Sequence, residues 1–481
     1  MSKLNNQLIG DLKQLMEIKS VLDTQTAAQN APFGQGNRQV LDWFLQKAAE
    51  YGLKTGEIDG YAGYAEYGEG EHCIAALCHL DVVPGGEGWT VGDPYTLTTK
   101  NDHLYGRGIV DNKGPAIMCL HALKQIAQSQ LKTKHRIRII AGTNEEHGSA
   151  CIKYYVKNAP KADIPILAIV PDAEFPIINS EKGILHTKIN IPLDNFFLKN
   201  IAFIKGGDSL NVIPDKASVS IFKNSEAADL LNQISPQKID DKIFSSPIFA
   251  GNILASGAKI TDFSIKEEAD AYTITAKGVA GHAMAPQNGD NAIWKIITFL
   301  HSLSQSTIDS TVLKFLKDYL CTHQSTNALQ IFYDDKKSGQ TTINMGILEF
   351  DDQEQGFLKL TLDMRLPIIA SKDEVLKNIT AKLPKKSTLT ELRWAANLYI
   401  DEDDEFIKTL LQIYQEKTGK EGYCIQIGGG TYARELPKAV AFGPMPKGKD
   451  GNLHKPDEVM SSDDFVTAME IYKQALIKLS I

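Results

Sequence analysis

Histidine, aspartate and glutamate recur in this 481-residue sequence at the points where apolar runs stop. Cys73-Ile74-Ala75-Ala76-Leu77-Cys78 ends in His79-Leu80-Asp81, and the run 137–141 ends in Gly142-Thr143-Asn144-Glu145-Glu146. The run 166–170 ends in Pro171-Asp172. Asp111 stands in Ile109-Val110-Asp111-Asn112-Lys113-Gly114, and His454 follows far downstream in Asn452-Leu453-His454-Lys455-Pro456. Two histidines with three or four carboxylates and no cysteine form a nitrogen and oxygen donor set suited to zinc, manganese or cobalt. The set is about right for two ions sharing one carboxylate, a pair that polarises a carbonyl and acidifies a water. Hydrolysis then needs one further acid to take the water's proton and pass it to the leaving group. Adjacent Glu145 and Glu146 can divide the roles of ligand and base. Spacing i, i+2 puts His79 and Asp81 on one strand face, where Asp81 can fix the tautomer of His79. Each acid alone is equally compatible with a solvated turn; the recurrence at strand ends carries the reading.

These side chains need a scaffold that gathers strand ends. The continuous apolarity of 73–78 reads as a strand buried on both faces, as at the centre of a parallel sheet. Open α/β sheets bind ligands at the carboxyl ends of such strands. Helical patterns at 5–20, 38–51, 116–128 and 149–157 alternate with strand signals at 63–67, 74–79, 137–141 and 166–170, the order of an α/β sheet with right-handed crossovers. After about residue 182 the texture changes. Alternating segments at 186–191, 217–222, 271–277, 341–348 and 358–365 surround helical patterns at 291–304 and 372–382, as in an α+β sheet solvated on one face. From 388 the first texture returns, with helices at 405–417 and 463–479 and an apolar run at 439–442. The expected organisation is an α/β domain of residues 1–182 and 388–481, a mostly parallel sheet with helices on both faces. An inserted α+β domain of residues 183–387 interrupts it.

Composition narrows the functions. The net charge of −8 is spread without a basic block, which argues against nucleic acid or an anionic membrane as partner. No stretch approaches a membrane span. The N-terminus reads as a mature amphipathic helix (Leu4, Leu8, Leu12, Leu15) and not as a signal peptide. Six cysteines without a CxxC pair point to a reducing, cytoplasmic setting and away from a cysteine-rich zinc site.

The ordered set His79-Leu80-Asp81-Val82-Val83-Pro84 with Gly88-Trp89, Gly106-Arg107-Gly108 followed by Asp111-Asn112-Lys113-Gly114, Gly142 to Glu146, Pro171-Asp172 and the late His454 resembles the M20 metallopeptidase family. Within it the chain most resembles the bacterial dipeptidase V type, from about residue 5 to the C-terminus. The resemblance implies two zinc ions bridged by Asp111. His79 and Asp172 would hold one, Glu146 and His454 the other; Glu145 would be the general base and Asp81 the orienter of His79. It also implies a cis peptide between Asp111 and Asn112, and that the inserted domain is a lid. There Gly281-His282-Ala283-Met284-Ala285-Pro286 would present His282 to the oxyanion when the lid closes. Asn211 in Asn211-Val212-Ile213-Pro214 would help bind the substrate carbonyl, and Arg365 would grip the substrate's free carboxylate. An arginine fork suits a carboxylate because two parallel N–H donors meet two oxygens.

Gly428-Gly429-Gly430-Thr431 lacks the Lys-Ser/Thr ending of a phosphate loop. Glycines there allow backbone N–H groups to approach a substrate carboxylate, and the resemblance places the run in the specificity pocket. The departures, His147 and Asn112 in place of an aspartate, are read as touching no proposed ligand. The expected protein is a monomeric, cytoplasmic di-zinc dipeptidase acting on short unblocked peptides, with manganese or cobalt as possible substitutes. The rivals are an N-acyl amino acid deacylase of the same family and, less favoured, a non-catalytic metal- or peptide-binding protein.

Overall fold

The computed structural model describes residues 4–234, 259–305, 307–322, 324–351 and 356–481. The chain forms two compact units, Met1–Glu181 with Leu398–Ile481, and Lys182–Asn397.

In the first unit, Cys73–His79 is buried along its whole length. It lies between Arg136–Gly142 and Leu167–Val170, parallel to both, and Ala439–Ala441 continues the parallel run beyond Leu167–Val170. The central strand sends alternate residues to opposite cores, as its period of two requires. Ile74, Ala76 and Cys78 join the helices Asn6–Glu17, Lys113–Gln128 and Ser462–Ser480. Ala75 and Leu77 join Ile152 and Tyr155 of Ala150–Asn158. Both faces are therefore covered, and the polar loops leave from the carboxyl ends of the central strands. Antiparallel strands flank this parallel centre, Ala62–Tyr67 and Lys54–Ile58 on one side and Ile177–Glu181 on the other. The sheet is thus mixed, and the strands that end at His79, Gly142 and Val170 lie in its parallel centre. Among the described residues no helix is long and apolar enough to cross a membrane.

The second unit is an eight-stranded antiparallel sheet. Ile293, Ile297 and Leu300 of Ala292–Ser304 and Val375 and Ile379 of Lys372–Lys382 complete its core. Its edge strand Thr388–Ala395 pairs with Gly183–Pro192, so this unit runs to Asn397 and not to residue 387. The boundary expected from sequence fails because Thr388–Ala395 is a mostly exposed edge strand, with Leu389 and Trp394 only partly buried against the core.

Candidate metal centre

His79 is the last residue of the central strand and is fully buried. Its Nδ1 lies 3.0 Å from the main-chain oxygen of Asp81 and 3.5 Å from Asp81 Oδ1. Donation from Nδ1 to that carbonyl turns the Nε2 lone pair toward the acids. Nε2 is 2.8 Å from Asp111 Oδ1 and 3.6 Å from Asp172 Oδ1. The other oxygen of Asp111 meets His454 Nε2 at 3.0 Å, and the same nitrogen lies 3.2 Å from Glu146 Oε2. Asp111 thus stands between two imidazoles with one oxygen toward each. The Asp111–Asn112 peptide is cis.

The Asp81 carboxylate has a task beyond the one expected. Its two oxygens accept the backbone N–H groups of Glu145, at 2.9 Å, and Glu146, at 3.1 Å. It therefore fixes the pair of glutamates, while its own carbonyl orients His79.

Five carboxylates in so small a volume repel one another. Burial, opposed by His79 and reinforced by Asp172 and Asp111, pushes the Glu145 carboxyl up to about 8. Burial also raises Glu146 and Asp172. Asp111 moves the other way: against its burial, the hydrogen bond from His454 and the close approach of the His79 ring hold it well below the usual carboxylate value. Hydrogen bonds to Asp111 and Glu146 lift His454 to about 10. Without cations, protons carry the compensating charge.

The donor atoms fit cations better. Single ligand atoms of His79, Glu145 and Asp172, and of His79, Asp111 and Glu146, each lie within 4.8 Å of one another. His79 Nε2 and Glu146 Oε1 are buried without a hydrogen-bond partner among the described residues. The 2.8 Å approach of His79 to Asp111 is off the line of a hydrogen bond. A buried nitrogen and a buried carboxylate oxygen left over in one cluster of nitrogen and oxygen donors fit a divalent ion.

In the second unit, Val212 pairs with His282 in a short antiparallel ladder, and the Ala283 N–H donates to the Asn211 carbonyl at 2.9 Å. Asn211 and His282 are therefore brought together. His282 is exposed, and its Nδ1 accepts the Met284 N–H at 3.0 Å. Partial loss of hydration and the Arg365 charge hold it below the usual histidine value. Arg365 is buried and grips Asp363 with Nε at 2.6 Å and Nη2 at 2.8 Å. His186 meets the same carboxylate at 3.1 Å.

The sequence profile of Peptidase family M20/M25/M40 matches residues 75–478. The chain belongs to this family. It is 31% identical over 477 residues to "Putative dipeptidase YtjP" of Bacillus subtilis (strain 168), covering 98% of this chain and 97% of that protein. Among solved structures it is similar to the M20 family metallo-carboxypeptidase Sso-CP2 of Sulfolobus solfataricus, with TM-score 0.56, 16% identity and coverage of 98% and 99%. Human carnosine dipeptidase 1 matches with TM-score 0.52, 14% identity and coverage of 98% and 97%. At these identities the two structures speak for the fold.

Two residues of this M20 chain do something the sequence did not reveal. Asn112 is in direct contact with the centre. Its Nδ2 donates to the Pro171 carbonyl at 2.6 Å and to Asp172 Oδ1 at 3.1 Å, and its Oδ1 accepts the His79 N–H at 3.2 Å. One amide thus ties three of the polar loops together. A helix-starting asparagine carries no sign of such contacts in sequence. Thr431, expected to meet substrate, gives its N–H to Glu181 at 3.1 Å and its hydroxyl to the same carboxylate. Arg434 closes this anchor, with Nε on Glu181 and Nη2 on the Gly429 carbonyl, both at 3.0 Å. A Cβ on Gly430 would lie 2.2 Å from that guanidinium, so this glycine makes room for Arg434.

Proposed function

We propose that this M20 peptidase is a metal-dependent dipeptidase that hydrolyses short peptides with a free N-terminus. The observation that carries the reading is the convergence of His79, Asp111, Glu146, Asp172 and His454, with Asp111 facing a histidine on each side. Relatives named as dipeptidases support the substrate class.

Two zinc ions are the proposed occupants, with His79 and Asp172 for one, Glu146 and His454 for the other and Asp111 shared. Manganese or cobalt suits the same donors. Bound there, the ions would polarise the scissile carbonyl and lower the pKa of a water. Glu145 is the proposed base. Its backbone is clamped by Asp81, which places its carboxylate to accept a proton from water and return it to the departing amine nitrogen. We assign carbonyl and oxyanion recognition to Asn211 and His282. Arg365 and the main chain of Gly428 to Gly430 are assigned the substrate carboxylate. Thr431 serves that loop through its bond to Glu181. The six unpaired cysteines suit a cytoplasmic enzyme, and a monomer is proposed.

The test is a panel of free dipeptides set against N-acetyl and N-succinyl amino acids, each with and without chelator. Hydrolysis of free dipeptides, abolished by chelator and restored by zinc, is expected. Turnover confined to the acylated amino acids would make the protein a deacylase. No turnover on either set would leave metal or peptide binding alone.

A further inference from the structure

Glu458 follows His454 by four residues and is completely buried. Its side chain is spent entirely on the loop that presents Asp111. Oε2 accepts Arg107 Nη1 at 2.8 Å and the Gly108 N–H at 3.0 Å. Oε1 accepts the N–H groups of Val110 at 2.9 Å and Asp111 at 3.1 Å. Its main-chain oxygen accepts the Gly106 N–H at 3.1 Å. One residue therefore takes five hydrogen bonds from residues 106–111. The register continues next door, where Val459 pairs with Tyr105.

The loop in front of Glu458 is tied to it closely. Asn452, His454 and Asp457 all have left-handed backbones, with φ of 53°, 60° and 57°. Asn452 Nδ2 donates to the Asp457 carbonyl at 3.1 Å, and the Val459 N–H donates to Gly451 at 3.0 Å. A segment folded back on itself in this way moves as a piece. Shifting Glu458 shifts His454.

We propose that Glu458 is a positioning residue that sets the distance between Asp111 and His454 and thereby the affinity of the centre for its ions. The inference rests on the reading that Asp111 and His454 hold metal. A glutamine in its place keeps one acceptor oxygen but turns an NH₂ toward a pair of donors and removes the charge facing Arg107. Residues that orient ligands typically change metal affinity by about 10- to 100-fold when altered.

The matched control is Glu66, also a buried carboxylate bonded to buried arginine. It meets Arg138 Nε at 2.9 Å and Arg136 Nη1 at 2.7 Å on strands whose loops it does not join. Metal-stripped wild type, E458Q, E458D and E66Q are titrated with zinc in competition with a chromophoric chelator, and the melting temperature of each metal-free form is recorded. Wild type is expected to take up two ions. E458Q is expected to bind at least one of them about 10- to 100-fold more weakly, with E458D between the two. E66Q is expected to melt lower yet bind zinc as wild type does. If E458Q does not fold, E458D decides. Wild-type affinity in the folded Glu458 variants overturns the proposal, as does an equal loss in E66Q, which would mean that affinity merely follows stability. Absence of zinc uptake by wild type would instead overturn the metal-site reading on which the proposal rests.

Discussion

His79 and His282 each end a strand, yet their surroundings are opposites. His79 is fully buried, with its ring placed between a main-chain carbonyl and the carboxylates of Asp111 and Asp172. His282 stands exposed, with one ring nitrogen on a neighbouring N–H and the other facing out. In the first unit, main-chain amides and Asn112 hold the acids before any ligand arrives. In the second, Asn211 and His282 are exposed and joined through a two-residue ladder and one main-chain hydrogen bond. The contrast teaches how the work is divided. Charge has to be fixed in advance because carboxylates that repel one another will otherwise move apart. Recognition of a variable peptide needs donors that can adjust.

The sharpest way to test that division is to remove the proposed base without touching the proposed ligands. Glu145→Ala is expected to keep both ions by elemental analysis and to lose turnover by about 10³-fold or more. Turnover near that of wild type would remove Glu145 as the base; loss of metal would move it among the ligands, where its closeness to His79 and Asp172 also allows it to sit. On the other side of the comparison, His282→Ala should lower kcat by about 10²-fold with metal content and melting temperature unchanged. A fall in either of those would mean that His282 is more built-in than its exposure indicates.

Much of this centre was legible in the sequence because strand ends write themselves as apolar runs followed by polar residues. The strand 73–79, the positions of Glu145, Glu146 and Asp172, and the helix 372–382 all follow from period and composition. What bonds the loops was not legible. The bonds of Asn112 and of the Asp81 carboxylate to the glutamates are not written in the sequence, since their partners lie about 60 positions away or are bare main-chain N–H groups. The exposed edge strands were missed for the complementary reason. Thr388–Ala395 is held largely by backbone pairing, with Leu389 and Trp394 only partly buried against the core, so its apolar pattern is short and weak.

Arg365 stands between the two extremes. It is proposed to hold a substrate carboxylate but is already committed to buried Asp363. Arg365→Ala is therefore expected to raise KM and also to destabilise the second unit by about 3–5 kcal/mol, since among the described residues Asp363 would keep His186 alone as a charge partner. Calorimetry beside the Michaelis curve separates the two effects. A raised KM at unchanged stability would place Arg365 with the adjustable donors of His282.

A smaller effect comes from the protons that stand in for cations. In metal-free protein Glu145 is held up to about 8, against an ordinary 4.5, and His454 up to about 10, against an ordinary 6.5. Between each pair of values the folded chain keeps a proton that the unfolded chain has released, so folding weakens as pH rises through these windows. Ions in the same volume displace those protons and remove the loss. Buried Lys113, pushed down to about 7 from an ordinary 10.5, acts in the opposite sense because there the unfolded chain holds the extra proton. The gap in melting temperature between zinc-loaded and zinc-stripped protein is expected to widen by a few degrees from about pH 6 to about pH 9. A gap that stays flat or closes would mean that the acids of the first unit are not compensated by protons when metal is absent. The contrast with the second unit would then rest on packing alone.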